Sequence, residues 1–514
     1  MHTLKLILKP TKEERRILEK RFRLLCRGHN VIVKHAKKLL AKLRENKEYQ
    51  AWLEEYKTIK DKEDEASKTR KKELSDKMTE IRESIGLTKA GLQAYAKVFQ
   101  KNYRHHISSQ MMQKESDHVW DGVEEVIFGN GKDIHFKKHE DMHSLPSKST
   151  QNGIRYYDEE HYDMPDGFKP KHKKGVEFLG LDIRVKWGKK EEKDDYKKES
   201  IEGRIKYATL TREMFPTGWH YYVVLTIEGP APKKLTLGKG TMGGDHGPST
   251  IAVESNEMLM LETLSPDCAK YNDEITRLQR KIDKSTRLSN PDNYNEDGTI
   301  KKGKKRWKYS KTCLKDKRRL KTLLRKKADY TRHEHNERAN RIVSSCDTYV
   351  YEEMNFKALA KRSKNTERQD KPTDIRQKDG TIKKVRKYKR RKRFGKSILD
   401  RSPGYQVTAI EQKMKQYGGT FLRTDTAKVK ASQYNHADDT HVKPSLSERM
   451  KEVGGHRVQR DLYSAFITRH AAKTLVNADR ESCIKDFDNF IKLHDKLIAE
   501  IKAKGEQRPS SFGF

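Results

Sequence analysis

Three acidic residues in three unlike settings are the candidates for chemistry in this sequence. Asp245 lies in Thr241-Met-Gly-Gly-Asp-His-Gly-Pro-Ser-Thr-Ile-Ala-Val253, with two glycines before the acid, Gly247 after it, and Ile251, Ala252 and Val253 opening another strand. Glu352 ends the apolar strand of Tyr349-Val-Tyr-Glu-Glu-Met-Asn355. Asp461 stands at the start of a helix in Arg460-Asp-Leu-Tyr-Ser-Ala-Phe466, whose Leu462, Ala465 and Phe466 share an apolar side. Glycines beside a carboxylate at a strand end let substrate or metal approach the backbone, a common way to seat a hard cation. Singly, each acid has a plainer reading: turn chemistry for Asp245, a dipole-favoured first-turn acid for Asp461. Brought together by the fold, the three would form an oxygen-ligand site for two magnesium ions about 4 Å apart, the arrangement that drives in-line phosphodiester hydrolysis.

A second group of residues points to the substrate. Lys384-Val-Arg-Lys-Tyr-Lys-Arg-Arg-Lys-Arg-Phe394 is basic with aromatics interleaved. Lys384, Arg386, Lys387, Arg390, Arg391 and Arg393 suit phosphates, while Tyr388 and Phe394 suit stacking on unpaired bases. Lys304, Lys305 and Arg306 form a smaller basic run in an earlier insertion, and both runs follow an Asp-Gly-Thr-Ile-Lys-Lys segment that signals a turn. The chain carries 113 Lys+Arg against 75 Asp+Glu, a net charge of +38 over 514 residues, which calls for a polyanionic partner. Anionic membrane is set aside because the longest apolar run, near Tyr221–Ile227, is far too short to span a bilayer. The charged start carries no signal-peptide pattern, and five scattered cysteines without a C-x-x-C pair suit a reducing, cytoplasmic interior.

The elements that must position these residues follow in order. Leu4, Leu6 and Leu8 alternate as a half-buried strand, Pro10 ends it, and Thr11 with Glu13 and Glu14 starts a helix carrying Leu18, Phe22, Leu25 and Cys26 as core. From Lys37 to about Val126 the pattern predicts long charged helices. Strands are predicted at Ile134–Phe136, Val176–Leu181, Ile183–Trp187, Ile205–Leu210 and Trp219–Ile227, closing with the first strand into a small antiparallel barrel. Residues 230–238 read as a linker. Basic helices follow at about 264–287 and 309–345, then a helix over Gly404–Tyr417 and a short strand over Gly418–Arg423.

The order G-x-D-x-G, then E-x-x-N after a strand, then R-D-L-x-x-A resembles the split RuvC nuclease domain of TnpB, the transposon-encoded RNA-guided nuclease related to type V CRISPR effectors. Leu6-Ile-Leu-Lys-Pro-Thr-Lys-Glu-Glu14, Ile134-His-Phe-Lys-Lys138 and Ala431-Ser-Gln-Tyr434 match further family stretches in the same order, so the resemblance runs from about residue 4 to 480. It implies a multidomain α/β protein. Its parts would be a β-barrel wedge domain (1–10 and 128–229), a helical recognition lobe (11–127) and an RNase H-like RuvC domain (239–484) with basic insertions near 288–308 and 361–396. A charged helix and tail (485–514) would close it. It also implies an RNA-guided DNA endonuclease in which Asp245, Glu352 and Asp461 are catalytic and hold two Mg²⁺ ions, Mn²⁺ being able to substitute. Glu352 is preferred over Glu353 because the E-x-x-N spacing runs to Asn355. The implied partners are a guide RNA of the ωRNA or crRNA kind and target double-stranded DNA, with one protein chain per ribonucleoprotein. Rival readings are a nuclease-inactive guided repressor and a guide-independent junction nuclease.

One stretch departs from the family. Where a TnpB carries a four-cysteine zinc ribbon, residues 432–460 hold no cysteine, only His436, Asp438, Asp439, His441 and His456. Structural zinc prefers thiolates, so zinc is not expected here, and a loop with a short helix over Ser445–Val453 is expected instead.

Overall fold

The computed structural model describes the chain apart from residues 130, 151–152, 162–163, 165–166, 189, 191–192, 216, 297, 304, 362–371, 377–380, 386–393, 446 and 506–508. It divides into two compact units, Met1–Pro232 and Lys233–Phe514.

In the first unit, strand β1 (His2–Leu8) buries Leu4, Leu6 and Leu8, and Thr11 then caps helix α1 (Lys12–Glu45) in a capping box with Glu14. Leu18, Phe22, Leu25 and Cys26 form its buried stripe. Helices α2 (Lys47–Ile59), α3 (Glu65–Ser84), α4 (Lys89–Asn102) and α5 (Ser109–Ile127) complete the charged helical stretch. The strands are β2 (Ser144–Leu145), β3 (Arg155–Tyr157), β4 (Gly175–Phe178), β5 (Leu181–Arg184), β6 (Ile205–Phe215) and β7 (Gly218–Ile227). They form one sheet of order β1-β7-β6-β2 and a separate one of order β3-β4-β5. Arg212 joins α1 to the first sheet: fully buried between the rings of Phe22 and Trp219, it donates from one nitrogen to both carboxylate oxygens of Glu19 at 2.7 Å.

Two expectations fail in this unit. There is no closed barrel among the described residues: the two sheets meet through a single Leu8–Val185 bridge, and β2 is only 2 residues long, too short to carry pairing around. Nor is Ile134–Phe136 a strand. The amide side chain of Asn30 on α1 takes the place of a neighbouring strand, accepting from the Lys137 N–H and donating to the Lys137 carbonyl, each at 2.9 Å.

The second unit is built on a five-stranded sheet of order β10-β9-β8-β11-β14. Strands β8 (Thr241–His246), β9 (Thr250–Glu254) and β10 (Leu259–Thr263) are antiparallel. Helices α6 (Asn272–Ser289) and α7 (Lys311–Val343) lead to β11 (Thr348–Glu352), which runs parallel to β8. A two-stranded hairpin of β12 (Thr373–Arg376) and β13 (Ile382–Val385) precedes helix α8 (Pro403–Tyr417) and strand β14 (Thr420–Thr424), parallel to β11. On one face Met242, Ile251, Val253, Tyr349 and Tyr351 join residues of α7 and α8. On the other, Ala252, Leu259 and Leu261 join helices α9 (Arg460–His470) and α10 (Arg480–Ala503). Alternation along a strand therefore decides which side chains meet α9.

Between β14 and α9 the expected helix over Ser445–Val453 is absent. Two small hairpins stand there instead, β15 (Tyr434–Asn435) with β16 (Thr440–His441), and β17 (Met450–Val453) with β18 (His456–Gln459). Gly454 and Gly455 form the two-residue turn of the second, with φ of 54° and 79°. Two consecutive left-handed residues make the tight hairpin turn that glycine alone enters without strain, which overrides the weak helical pattern before it.

Candidate active site

Strand β8 pairs in parallel with β11, Gly244 opposite Tyr351, so the next residue on each, Asp245 and Glu352, lie side by side at the ends of adjacent strands. Period-2 alternation turns both toward α9, while Tyr349 and Tyr351 face the opposite core. Glu352 is buried, whereas Glu353 is exposed at 61% and pairs with Arg423. Asp461 sits in the first turn of α9, whose N-cap Gln459 accepts from the Leu462 N–H.

The glycines of β8 serve a purpose other than the expected one. Sequence alone suggests space for substrate or metal, yet protein fills that space. A β-carbon on Gly243 would come within 2.1 Å of the Ala465 carbonyl oxygen, and one on Gly244 within 1.9 Å of the Tyr349 hydroxyl. Gly243 is therefore what lets the backbone of α9 lie directly on β8 and bring Asp461 toward Asp245.

Asp245 feels both of the other carboxyls, and Glu352 feels Asp461. Burial, then the charges of Asp461 and Glu352, hold Asp245 well above the usual carboxylate range, although its edge remains partly open. Burial and the charge of Asp461 likewise raise Glu352. Two groups oppose this repulsion. Ser464, fully buried on α9, donates to Glu352 Oε2 at 3.2 Å, and its hydroxyl works against the rise at Asp245. Arg460 reaches Asp461 Oδ1 at 3.3 Å and also donates to the Ser445 and Glu448 carbonyls. Sequence alone gives neither residue a role, although Ser464 lies three positions after Asp461, where a helix presents the same face. Among the described residues, no group of three or more His, Cys, Asp or Glu side chains closes into a ready-made metal cage. The three acids are electrostatic neighbours whose carboxyl groups stop short of converging.

His246, next in sequence to Asp245, points the other way. Its Nε2 lies 2.7 Å from the Tyr349 hydroxyl, and burial pushes its pKa down to about 3, so it is a neutral core residue.

The residues with donor atoms in 432–460 are spread apart. His436 lies 2.8 Å from the Tyr463 hydroxyl and edge-on to Phe487; Asp438 and Asp439 accept from Asn435 and Tyr434; His441 and His456 are exposed. The stretch is held by a core that includes Tyr434, Val453, Val458 and Tyr463.

Of the residues expected to touch nucleic acid, Lys384 is exposed on β13, Phe394 is exposed, Arg306 is exposed and Lys305 is half-buried, donating to the Gly303 carbonyl. Lys304, Arg386, Lys387, Tyr388, Arg390, Arg391 and Arg393 lie outside the described residues.

No protein-family model and no curated protein matches this sequence. Among solved structures, the chain is similar to a cryo-EM structure of a Cas12f1–sgRNA–target DNA complex, with a TM-score of 0.42 and 11% identity, over 90% of this chain and 97% of that one. It is also similar to a cryo-EM structure of a CRISPR-Cas12f ternary complex, with a TM-score of 0.24 and 13% identity, over 88% of this chain and 81% of that one. At these values neither likeness decides an activity. The functional reading rests on the acids themselves.

Proposed function

We propose that this chain is an RNA-guided DNA endonuclease that hydrolyses phosphodiester bonds at Asp245, Glu352 and Asp461. The observation that supports the reading is the electrostatic coupling of Asp245 to Asp461 and Glu352, acids on two adjacent strand ends and a crossing helix with too little positive charge beside them. Buried carboxylates without partners are costly, and strongly perturbed ones cluster at functional sites. The donors fit magnesium in kind, being carboxylate oxygens with no thiolate among them. Asp245, Glu352 and Asp461 would hold the metal. Two bound Mg²⁺ ions would supply a water of lowered pKa as nucleophile and charge stabilisation for the leaving 3′ oxygen. The chain's own contribution is to crowd the carboxylates, to fix Asp461 through Arg460 and to bury Glu352 away from solvent.

The net charge of +38, the exposed Lys384 and Phe394, and the motif order resembling TnpB support a guide RNA and target DNA as partners. A guided DNA binder without nuclease activity is the second reading, and the lack of a closed three-ligand cage among the described residues is the observation on its side. Both readings are tested by purifying the ribonucleoprotein, sequencing its small RNA, and offering matched DNA with Mg²⁺. Cleavage that Asp245→Ala abolishes while target binding survives is expected. Binding without cleavage in the unsubstituted protein would favour the second reading, and equal loss of binding and cleavage in the variant would reject the catalytic assignment.

A further inference from the structure

Apart from the acids, the second unit holds a groove of about 600 Å³ lined by α6, α7, the short helix Gly395–Arg401 and the start of α8. That volume lies in the range of small-ligand sites. Its apolar walls are left uncovered: Leu324 is 46% exposed, Leu399 80% and Tyr405 39%. Exposed apolar side chains gathered within a polar rim mark a binding surface. The wall that carries Leu399 is firmly held. Lys327 donates to Asp400 Oδ1 at 2.6 Å and Asn272 to Asp400 Oδ2 at 3.1 Å, while the Arg401 carbonyl lies 2.6 Å from His335 Nε2. The groove also contains a polar group that the fold does not use. Thr331 on α7 is buried, and its hydroxyl has no hydrogen-bond partner among the described residues. Leaving such a group unmet is unfavourable. Gln279, exposed on α6, adds an amide that can both donate and accept.

Apolar walls with a few hydrogen-bonding groups and exposed cations complement a single nucleotide. The cations are Lys396 and Arg332, the latter sharing its charge with Asp329 at 2.7 Å. The short helix begins directly after Phe394, where the basic stretch from Lys384 with its interleaved aromatics ends. The groove is therefore continuous in sequence with the residues best suited to phosphates and unpaired bases. We propose that the groove seats one unpaired base of single-stranded DNA, its face against Leu324, Leu399 and Tyr405, its edge toward Thr331 and Gln279, and its phosphate toward Lys396. Apolar walls favour thymine, whose C5 methyl group uracil lacks. The inference rests on nucleic acid as the proposed partner and not on cleavage.

The test is fluorescence anisotropy with labelled strands and the full chain stripped of nucleic acid, beside the thermal midpoint of each variant. The strands are oligothymidylate, an abasic DNA strand of equal length, and oligouridylate RNA. Leu399→Ser and Tyr405→Ala are each expected to weaken oligothymidylate binding by about fivefold or more, with the abasic strand bound as before. Leu399 is so exposed that its replacement leaves the midpoint unchanged, which keeps the test valid even where Tyr405→Ala fails to fold. Lys396→Gln is expected to weaken both DNA strands alike. Oligothymidylate binding that Leu399→Ser leaves unchanged, or loses in step with the abasic strand, would overturn the inference and leave the proposed function intact. A loss in Leu399→Ser as large with oligouridylate as with oligothymidylate would overturn the assignment to DNA. An unsubstituted protein that binds none of the strands would overturn nucleic acid as the partner, and this inference with it.

Discussion

The two ends of helix α9 hold buried charge in opposite ways. At its start, Asp461 and Ser464 face Asp245 and Glu352, and the cation in hydrogen-bonding contact is Arg460. At its end, Arg469 donates to Glu254 at 2.7 Å and pairs with Asp486 at 3.0 Å, and His470 lies 3.2 Å from the same Asp486 oxygen. One end sets three acids against one guanidinium. The other sets two acids against an arginine and a histidine. Both lie against the same sheet, so burial alone does not explain the difference. Where charge serves only the fold, partners are supplied inside the chain; where it is left in excess, the proposed Mg²⁺ would be the partner from outside.

Substitutions at each end should separate these roles. Asp245→Asn is expected to reduce cleavage to background while the thermal midpoint holds or rises, because repulsion among the acids falls. A variant that unfolds instead would make Asp245 a structural acid like those at the other end. Arg469→Met should do the reverse, costing about 3–5 kcal/mol of unfolding free energy in denaturant by stranding Glu254 and Asp486, with cleavage surviving in the folded fraction. Gly243→Ala should harm both ends together, by about 3 kcal/mol in stability along with cleavage, since it lifts the helix they share.

The smallest effect concerns pH. Burial outweighs the attraction of Arg469 and pushes Glu254 up to about 7. A carboxyl raised on folding favours the folded state most when protonated. Its contribution is complete below the unfolded value near 4.5 and is lost as pH rises through about 7. Glu254→Gln removes this dependence. Between pH 5 and 8 the stability of the unsubstituted protein should therefore fall relative to the variant, by at most about 3 kcal/mol. A constant difference would mean that Glu254 stays ionised in its pair with Arg469.

Much of this arrangement is visible in the residues. The strand of Asp245, the strand ending at Glu352 and the helix begun by Asp461 follow from apolar alternation and helical spacing, and the E-x-x-N spacing selects the inward-facing Glu352 over the exposed Glu353. What stays hidden depends on contacts between distant segments. Nothing local tells that Asn30 replaces a strand beside Lys137, or that the sheets of the first unit meet at one bridge rather than closing. The hairpin at Gly454-Gly455 is marked locally by its double glycine, yet the expectation of a helix over Ser445–Val453 runs across it. Gly243 misleads for a subtler reason: glycine marks close approach by something, and only the fold says that the visitor is α9 rather than a ligand.

That contact has a practical corollary for anyone redesigning the protein. With no side-chain carbon on Gly243, strand β8 and helix α9 touch there through their main chains, and the smallest available increment, one methyl group, overshoots the gap. Attempts to retune the spacing of the acids must therefore work through the carboxyl-bearing side chains and their neighbours, because the main-chain separation at Gly243 has no finer adjustment.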